Sequence, residues 1–241
     1  NLNDMEYVQN HYLIFATKDG LMKKTTLESY SRPRANGIIA LGLREGDRLI
    51  RVTLTDGNSQ MLVASYNGKV VRFPEDTVRP MGRTATGVRA IKLDEDGKDC
   101  VVGMICVEEG SKDTVLVISD KGYGKRTLLD DENGEPIYRI TNRGGKGVKT
   151  MNLTDKTGNL IGLEAVNDEQ DLMLITKSGT AIRMAMTSIS TLGRATQGVK
   201  LIELQKRNDT LMFGCVVPKE ETEESTDASE VTTEEMTTIE E

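Results

Sequence analysis

Two short segments alternate four times along this chain of 241 residues. The first segment has a glycine near its centre and a cation at its end, and its glycines are Gly20, Gly68, Gly122 and Gly179. The second segment, which we call the box, closes on a glycine and reads S-R-P-R-A-N-G (31–37, box 1), M-G-R-T-A-T-G (81–87, box 2), T-N-R-G-G-K-G (141–147, box 3) and L-G-R-A-T-Q-G (192–198, box 4). Because both segments recur in the same order, the chain is predicted to be an array of structural repeats of about 50 residues.

Each first segment predicts a tight β-hairpin. In the first repeat the apolar run 13–15 leads into Asp19-Gly20, and in the second the run 61–63 leads into Asn67-Gly68. A short apolar strand, an X-Gly turn that tolerates positive φ and a second strand are typical of a hairpin.

Two more strand-like runs follow each hairpin. One comes directly after the box, at 38–43, 88–93, 148–153 and 199–204, and the other comes after a turn, at 49–54, 101–107, 160–166 and 211–217. Four strands in about 50 residues are typical of a propeller blade. We therefore predict an all-β fold, a propeller-like β-pinwheel of four-stranded blades.

The predicted organisation is four blades with a segment at either end. The blades occupy 11–60, 61–113, 114–170 and 171–218. Within 1–10, the stretch Glu6-Tyr7-Val8 is interpreted as the last strand of a preceding blade, so the chain is expected to begin part-way through a longer protein. The segment 219–241 lacks apolar periodicity and is predicted to be a disordered acidic tail.

Charge is distributed unevenly along the chain. The formal net charge is −7, from 31 Lys and Arg and 38 Asp and Glu. Ten acidic residues and one basic residue lie in 219–241, which leaves 30 basic and 28 acidic residues in 1–218. A net of −7 argues against a nucleic-acid partner, but the body of the chain is close to neutral and has to be judged by where its cations lie.

Cations recur at the same places in every repeat. At the hairpin ends they are Lys23, Lys24, Lys69, Arg72, Lys125, Arg126 and Arg183, and in or beside the boxes they are Arg32, Arg34, Arg79, Arg83, Arg139, Arg143, Lys146, Lys149, Arg194 and Lys200. Equivalent positions in a repeat array fall on equivalent surfaces, so these cations are predicted to form a basic band around the rim. Such a band suits duplex DNA held through its phosphates. On charge placement alone, cations that merely solvate strand ends are an equally good interpretation.

Box 3 favours the DNA interpretation. Arg143, Gly144, Gly145, Lys146 and Gly147 place three glycines and two cations side by side. Glycines let a backbone approach a phosphate closely, and the cations supply charge. The alternative is a glycine-rich bulge between strands. A nucleotide-binding P-loop is not supported, because Lys146 is followed by glycine rather than Ser or Thr.

The composition disfavours several other classes. Aromatic residues are 4% of the chain, which argues against single-stranded nucleic-acid binding by stacking. Three cysteines and one histidine argue against a disulfide framework or a zinc site and favour a reducing cytoplasm. No apolar run is long enough for a membrane helix, and no catalytic constellation is evident.

Several motifs in register resemble a known family. The runs T-N-R-G-G-K-G-V (141–148), V-V-R-F-P (70–74), K-G-Y-G-K-R-T (121–127) and G-R-A-T-Q-G-V (193–199) resemble the C-terminal DNA-wrapping domain of bacterial DNA gyrase A. The defining box of that family is Q-[RK]-R-G-G-K-G. Arg143 to Gly147 match it, while Thr141 and Asn142 depart from its first two positions.

The resemblance implies a six-bladed β-pinwheel with a basic perimeter, of which this chain supplies blades three to six. It implies that the domain wraps duplex DNA and supports ATP-dependent negative supercoiling, with gyrase B and a second copy of gyrase A as partners. No catalytic residue or cofactor is expected in this chain, since ATP and Mg²⁺ are used by other parts of such a complex. Two rivals remain: the corresponding domain of topoisomerase IV, and a propeller that docks other proteins.

Overall fold

The structure is a computed structural model that describes residues 4–204 and 208–219. One short helix, α1 (Met5–Asn10), precedes the strands, and 3₁₀ helices span Leu27–Tyr30, Glu75–Thr77 and Met186–Ser188. The strands are β1 (Tyr12–Thr17), β2 (Leu21–Thr26), β3 (Leu49–Thr55), β4 (Gln60–Ser65), β5 (Lys69–Pro74), β6 (Val88–Arg89), β7 (Val101–Val107), β8 (Thr114–Ser119), β9 (Tyr123–Thr127), β10 (Val148–Lys149), β11 (Leu160–Val166), β12 (Gln170–Thr176), β13 (Ala181–Ala185), β14 (Val199–Lys200) and β15 (Leu211–Pro218).

These strands form four antiparallel sheets in the described residues. From the inner to the outer edge, sheet 1 is β3-β1-β2-β6, sheet 2 is β7-β4-β5-β10, sheet 3 is β11-β8-β9-β14, and sheet 4 is β15-β12-β13. The inner strands β3, β7, β11 and β15 contact one another in that order. The predicted hairpins are all present, with Gly20, Gly68, Gly122 and Gly179 at φ between 77° and 88° in their turns.

Each outer strand belongs to the repeat that follows its sheet. Thus β6 comes after box 2 but pairs with β2 of the first hairpin, with Leu21 opposite Arg89 and Met22 opposite Val88. β10 pairs with β5, and β14 pairs with β9, in the same register. The sheets therefore do not coincide with the predicted ranges 11–60, 61–113, 114–170 and 171–218, because the second, third and fourth repeats each lend one strand to the preceding sheet.

This exchange corrects the predicted strands that follow the boxes. The runs 88–93, 148–153 and 199–204 are each reduced to two paired residues, since only those two face the preceding hairpin. The run 38–43 forms no strand at all, because the described residues contain no hairpin before it to pair with. Sheet 4 has three strands for the matching reason: in the described part of the chain, no later repeat supplies its outer edge.

The N-terminal segment is helical, so the predicted strand at Glu6-Tyr7-Val8 is wrong. Asp4 caps α1 by accepting a hydrogen bond from the Tyr7 backbone N–H at 3.1 Å. Asp is a favoured N-cap residue. Val8 is the buried residue of the helix, which packs on β2 and on the 3₁₀ helix Leu27–Tyr30.

The hydrophobic core lies between neighbouring sheets rather than within each one. One cluster joins Ile14 and Met22 of sheet 1 to Val63 and Phe73 of sheet 2, and two further clusters join sheets 2 and 3 and sheets 3 and 4. A repeat that buries its apolar face only against a neighbour is stable only as part of an array.

Candidate nucleic-acid interface

The closing glycine of each box is needed for close contact with the preceding hairpin. Gly87 has φ of 97°, and a Cβ built on it would lie 2.3 Å from the carbonyl oxygen of Met22. The corresponding distances are 2.5 Å from Gly147 to the carbonyl oxygen of Val70 and 2.8 Å from Gly198 to that of Gly124. A larger residue would push the box away from the hairpin. The box loops are therefore held along the outer part of the sheets.

Box arginines hold the outer strands in place. Each of these arginines donates to a backbone carbonyl that lies two residues after the closing glycine of the preceding box. Arg83 donates to Ile39 at 3.2 Å, Arg143 to Arg89 at 3.4 Å, and Arg194 to Lys149. Arg143 also donates to the Thr77 carbonyl at 3.2 Å. These three arginines are half-buried. Their guanidinium groups link consecutive boxes into a continuous outer perimeter.

The outer perimeter also carries cations that are exposed. They are Arg32, Arg34, Arg89, Lys146, Lys149 and Lys200. Arg89, Lys149 and Lys200 are the second residues of β6, β10 and β14, so they occupy the same place on three successive sheets. Sequence reasoning missed Arg89, although a cation two residues after the closing glycine recurs in three of the four repeats.

Five of the seven hairpin cations do not join the predicted basic band around the rim. Lys23, Lys24, Arg72, Lys125 and Arg126 are buried, with at most 7% of each residue exposed. Lys24, Arg72 and Arg126 stand four residues after the hairpin glycine and reach the next repeat. Lys24 contacts Glu75 at 2.7 Å. Arg72 contacts Asp130 at 2.7 Å and donates to the Leu129 carbonyl at 3.2 Å. Arg126 contacts Asp168 at 2.6 Å and donates to the Met186 carbonyl at 3.2 Å.

Glu75, Leu129 and Met186 occupy equivalent positions, each seven residues after the glycine of the next hairpin. Because each partner belongs to the next hairpin, these contacts join neighbouring sheets. Glu75 is fully buried and accepts further hydrogen bonds from the Thr55 hydroxyl at 2.6 Å and the Ser59 backbone at 3.2 Å. Buried ions need such partners. In sheet 4, Arg183 is exposed and contacts Asp171 at 2.8 Å within its own sheet.

A carboxylate two residues before an inner strand contacts the hairpin tip in three of the four repeats. Asp47 accepts from the Asp19 backbone at 3.0 Å, Asp99 from Asn67 at 3.0 Å and Asp209 from Ser178 at 3.1 Å. The Ser178 hydroxyl also donates to Asp209, at 2.5 Å, and this side-chain hydrogen bond is the largest cause that lowers the pKa of Asp209 to about 2. These three carboxylates are thus bound at the hairpin tips, whereas Glu203 contacts Lys200 of the perimeter at 2.7 Å.

Lys23 and Lys125 are buried by the box loops themselves, three residues after their hairpin glycines. Removal from water lowers the pKa of Lys23 to about 8, and the neighbouring charge of Arg83 acts in the same direction. The pKa of Lys125 is also lowered to about 8, first by burial and then by Arg194. Desolvation disfavours the charged form of an amine.

We expect this burial to make stability rise with pH above about 8. The pKa of each of these two lysines is about 8 in the folded chain, and the reference value is 10.5. Between pH 8 and pH 10.5 the unfolded chain therefore binds more protons than the folded chain. The free energy of unfolding then increases with pH, by at most about 1.4 kcal/mol per pH unit for each lysine. Urea unfolding of the wild type and of the Lys23→Met/Lys125→Met variant, from about pH 7 to about pH 10, measures the difference.

The comparison between the two proteins cancels the titration of every other group. A Lys112→Met variant, which removes an exposed lysine, should follow the wild-type pH curve. Parallel curves for the wild type and the Lys23→Met/Lys125→Met variant would show that neither lysine has a lowered pKa.

Box 3 borders a cavity of about 500 Å³. The lining consists of Val70, Val71, Arg139 and residues 141–148. Neutral backbone hydrogen bonds connect the loop to its neighbours: the Thr141 N–H donates to the Arg72 carbonyl at 2.8 Å, the Gly144 N–H to the Ala90 carbonyl at 2.7 Å, and the Gly145 carbonyl accepts from the Lys92 N–H at 2.8 Å. Cations beside a glycine-rich backbone suit an anionic ligand.

A family model matches most of the chain. The model for the DNA gyrase C-terminal domain, a β-propeller, matches residues 11–56, 60–108, 113–167 and 170–213. The chain belongs to this family. DNA gyrase A of Staphylococcus aureus strain NCTC 8325 / PS 47 is 43% identical over 232 residues, which are 96% of this chain and 25% of the relative. That of strain MRSA252 is 46% identical over 203 residues, 84% of this chain and 22% of the relative. The chain spans about a quarter of the length of these curated relatives.

Two solved structures share the fold. The C-terminal domain of DNA topoisomerase IV superposes with a TM-score of 0.77 at 22% identity, covering 87% of this chain and 62% of that one. The DNA gyrase A C-terminal domain gives 0.72 at 23% identity, covering 86% and 65%. The predicted all-β, propeller-like fold and the resemblance to the gyrase family are confirmed.

The predicted site residues of this gyrase-family domain separate into three groups. Lys23, Lys24, Arg72, Lys125 and Arg126 are buried. Arg83, Arg143, Gly144, Gly145 and Arg194 are half-buried in the perimeter. Arg32, Arg34, Lys146, Gly147, Lys149 and Arg183 are exposed.

Metal-binding clusters and membrane-spanning helices are absent from the described residues. Residues 4–204 and 208–219 contain no group of three or more His, Cys, Asp or Glu side chains that could hold a metal ion. In the same residues, no helix is long and apolar enough to cross a membrane. The predicted acidic tail lies almost wholly outside the described part of the chain, from residue 220 onward.

Proposed function

We propose that the outer perimeter binds duplex DNA through its phosphates. The observation that carries this proposal is the exposed cation at the same place on three successive sheets, Arg89, Lys149 and Lys200. Lys200 also contacts Glu203 at 2.7 Å, so Arg89 and Lys149 are the stronger candidates of the three. Equivalent cations on neighbouring sheets follow the curve of the propeller, and phosphate contacts along a curve repay the cost of bending DNA.

Box 3 adds a second group of contacts. Lys146 is exposed beside the cavity that the box borders, and Lys149 follows on β10. Arg143, which donates to two backbone carbonyls, acts mainly by holding the perimeter in shape. The exposed lysines are therefore the direct phosphate contacts in this proposal, and Arg143 supports them.

In the whole protein, the domain is proposed to wrap DNA and so support ATP-dependent negative supercoiling. Its partners there would be gyrase B and a second copy of gyrase A, in the cytoplasm. ATP and Mg²⁺ would act in other parts of that complex. The family match and the 43% identity to DNA gyrase A support this assignment.

The corresponding domain of topoisomerase IV is the second candidate, favoured by the fold match with a TM-score of 0.77. Relaxed plasmid, ATP and the whole protein with its partner protein distinguish the two. Negative supercoils support the gyrase assignment, and decatenation without negative supercoiling supports topoisomerase IV.

A salt titration tests the DNA proposal itself. Fluorescence anisotropy with a labelled duplex should give log K falling linearly with log salt concentration, with a slope of about −0.9 for each phosphate contact. Duplexes of unrelated sequence should bind alike, because phosphates carry no base code. Absent binding, or a slope near zero, would favour a propeller that docks proteins and uses its cations for solubility.

A further inference from the structure

One position of the hairpin alternates between lysine and an aliphatic residue. The residue three after the hairpin glycine is Lys23, Val71, Lys125 and Ile182 in the four repeats. All four stand in the same register, opposite Phe15, Val63, Val117 and Leu174 of the first hairpin strand. The difference is therefore one of side chain alone.

Where the residue is lysine, its ammonium group binds the box of the next repeat. Lys23 donates to the Arg83 carbonyl of box 2 at 2.5 Å and to the Ala40 carbonyl at 2.5 Å. Lys125 donates to the Gly193 and Arg194 carbonyls of box 4, both at 2.6 Å. An ammonium group has three donors and no acceptor, so carbonyl oxygens satisfy it well. Charge assistance makes these hydrogen bonds strong.

Where the residue is Val71, the following box has no ammonium donor beneath it and is held by neutral backbone hydrogen bonds and by Arg143. Val71 lines the cavity of about 500 Å³ at box 3, together with Val70 and the box itself. The charge in box 3 is on the solvent side instead, at the exposed Lys146. The residues equivalent to Lys146 are Thr86 in box 2 and Gln197 in box 4, which carry no charge.

We propose that Lys23 and Lys125 are positioning residues that hold boxes 2 and 4 in a fixed shape, and that Val71 leaves box 3 as the loop that adapts to bound DNA. The positioning role is independent of any ligand. The adaptive role rests on the proposed function. Boxes 2 and 4 would then present preformed surfaces to the phosphates, whereas box 3, without a charge-assisted hydrogen bond beneath it, would let the exposed Lys146 shift over the cavity when DNA binds.

Hydrogen–deuterium exchange of the DNA-free protein tests the positioning role. Lys125→Met keeps the apolar stem and removes the ammonium group, so amides in box 4 (192–198) should exchange at least about 10-fold faster while those of box 2 (81–87) stay unchanged. Val71→Lys should do the reverse at box 3 (141–147), where the new ammonium group reaches the carbonyls of Asn142 and Arg143 and slows exchange. Lys112→Met, an exposed lysine, is the control and should change neither box.

The test depends on which box shows the changed exchange rate. Unchanged exchange in box 4, or an equal rise throughout the chain, would overturn the positioning role. Unchanged exchange at box 3 in Val71→Lys would also count against it. If Lys125→Met does not fold, Lys23→Met gives the same reading at box 2.

Adding a duplex to the wild type tests the adaptive role. Exchange in box 3 should slow more than in boxes 2 and 4, because a preformed loop has less motion to lose. Equal slowing in all three boxes would overturn the adaptive role. A duplex that slows exchange nowhere would refute the proposed function and leave the DNA-free result for Lys23 and Lys125 standing.

Discussion

The triple variant Arg89→Gln/Lys146→Gln/Lys149→Gln should bind duplex DNA about 100-fold less tightly than the wild type at low salt. All three side chains are exposed on the outer perimeter, on β6, in box 3 and on β10. The described part of the chain provides no carboxylate partner for them, so their charge is available to phosphates. Three lost contacts should also reduce the salt slope by about 2.7.

A second triple variant provides a matched control. Lys98→Gln/Lys112→Gln/Lys177→Gln removes the same charge from exposed lysines in turns outside the boxes and outer strands. It should leave the affinity within about threefold of the wild type, since screening weakens charges that lie away from the bound phosphates. Equal losses in the two triple variants would mean that binding follows overall charge and that the perimeter is not a specific interface.

Both triple variants should keep the wild-type fold and the wild-type indifference to DNA sequence. Glutamine retains the stem of the side chain, and exposed substitutions of this kind change stability by about 0.5 kcal/mol or less. A weakening that differed between duplex sequences would contradict phosphate contact, because phosphates look alike in every sequence.

The repeats were readable from sequence because their signals are local. An X-Gly turn at positive φ flanked by apolar runs specifies a hairpin within about ten residues. The inner strands β3, β7 and β11 follow a turn with a glycine at positive φ, and β7 and β11 have the bounds that the apolar runs 101–107 and 160–166 predict. The sequence did not show which hairpin each outer strand pairs with. Val88-Arg89 carries the same apolar and cationic pattern whichever neighbour it pairs with.

The burial of the hairpin cations was beyond the sequence for a similar reason. Lys23-Lys24 looks like a solvated strand end, and its acceptors lie far along the chain, at Arg83 and Glu75. Nothing near Lys23 in the sequence indicates a carbonyl sixty residues away. The part of the site that was predictable is the exposed part, such as Lys146 and Lys149, whose role requires no distant partner.

Gly87→Ala should destabilise the domain by about 3–5 kcal/mol, the largest loss we expect from a single methyl group here. Two costs combine. A φ of 97° is unfavourable for any residue with a Cβ, and the new Cβ would lie 2.3 Å from the Met22 carbonyl oxygen. That oxygen belongs to strand β2, so it cannot move aside without disturbing sheet 1. Urea unfolding followed by far-UV circular dichroism measures the loss.

Gly37→Ala separates the two costs. Gly37 closes box 1 at φ of 80°, but a Cβ on it would meet nothing within 4 Å, because the described residues contain no hairpin before box 1. Only the backbone cost remains, which is about 1–2 kcal/mol. A loss in Gly87→Ala no greater than in Gly37→Ala would show that the boxes do not depend on close contact with the preceding hairpin. The expected excess of about 2 kcal/mol would instead measure how tightly box 2 is held against β2, the same contact that brings Arg89 to the outer perimeter.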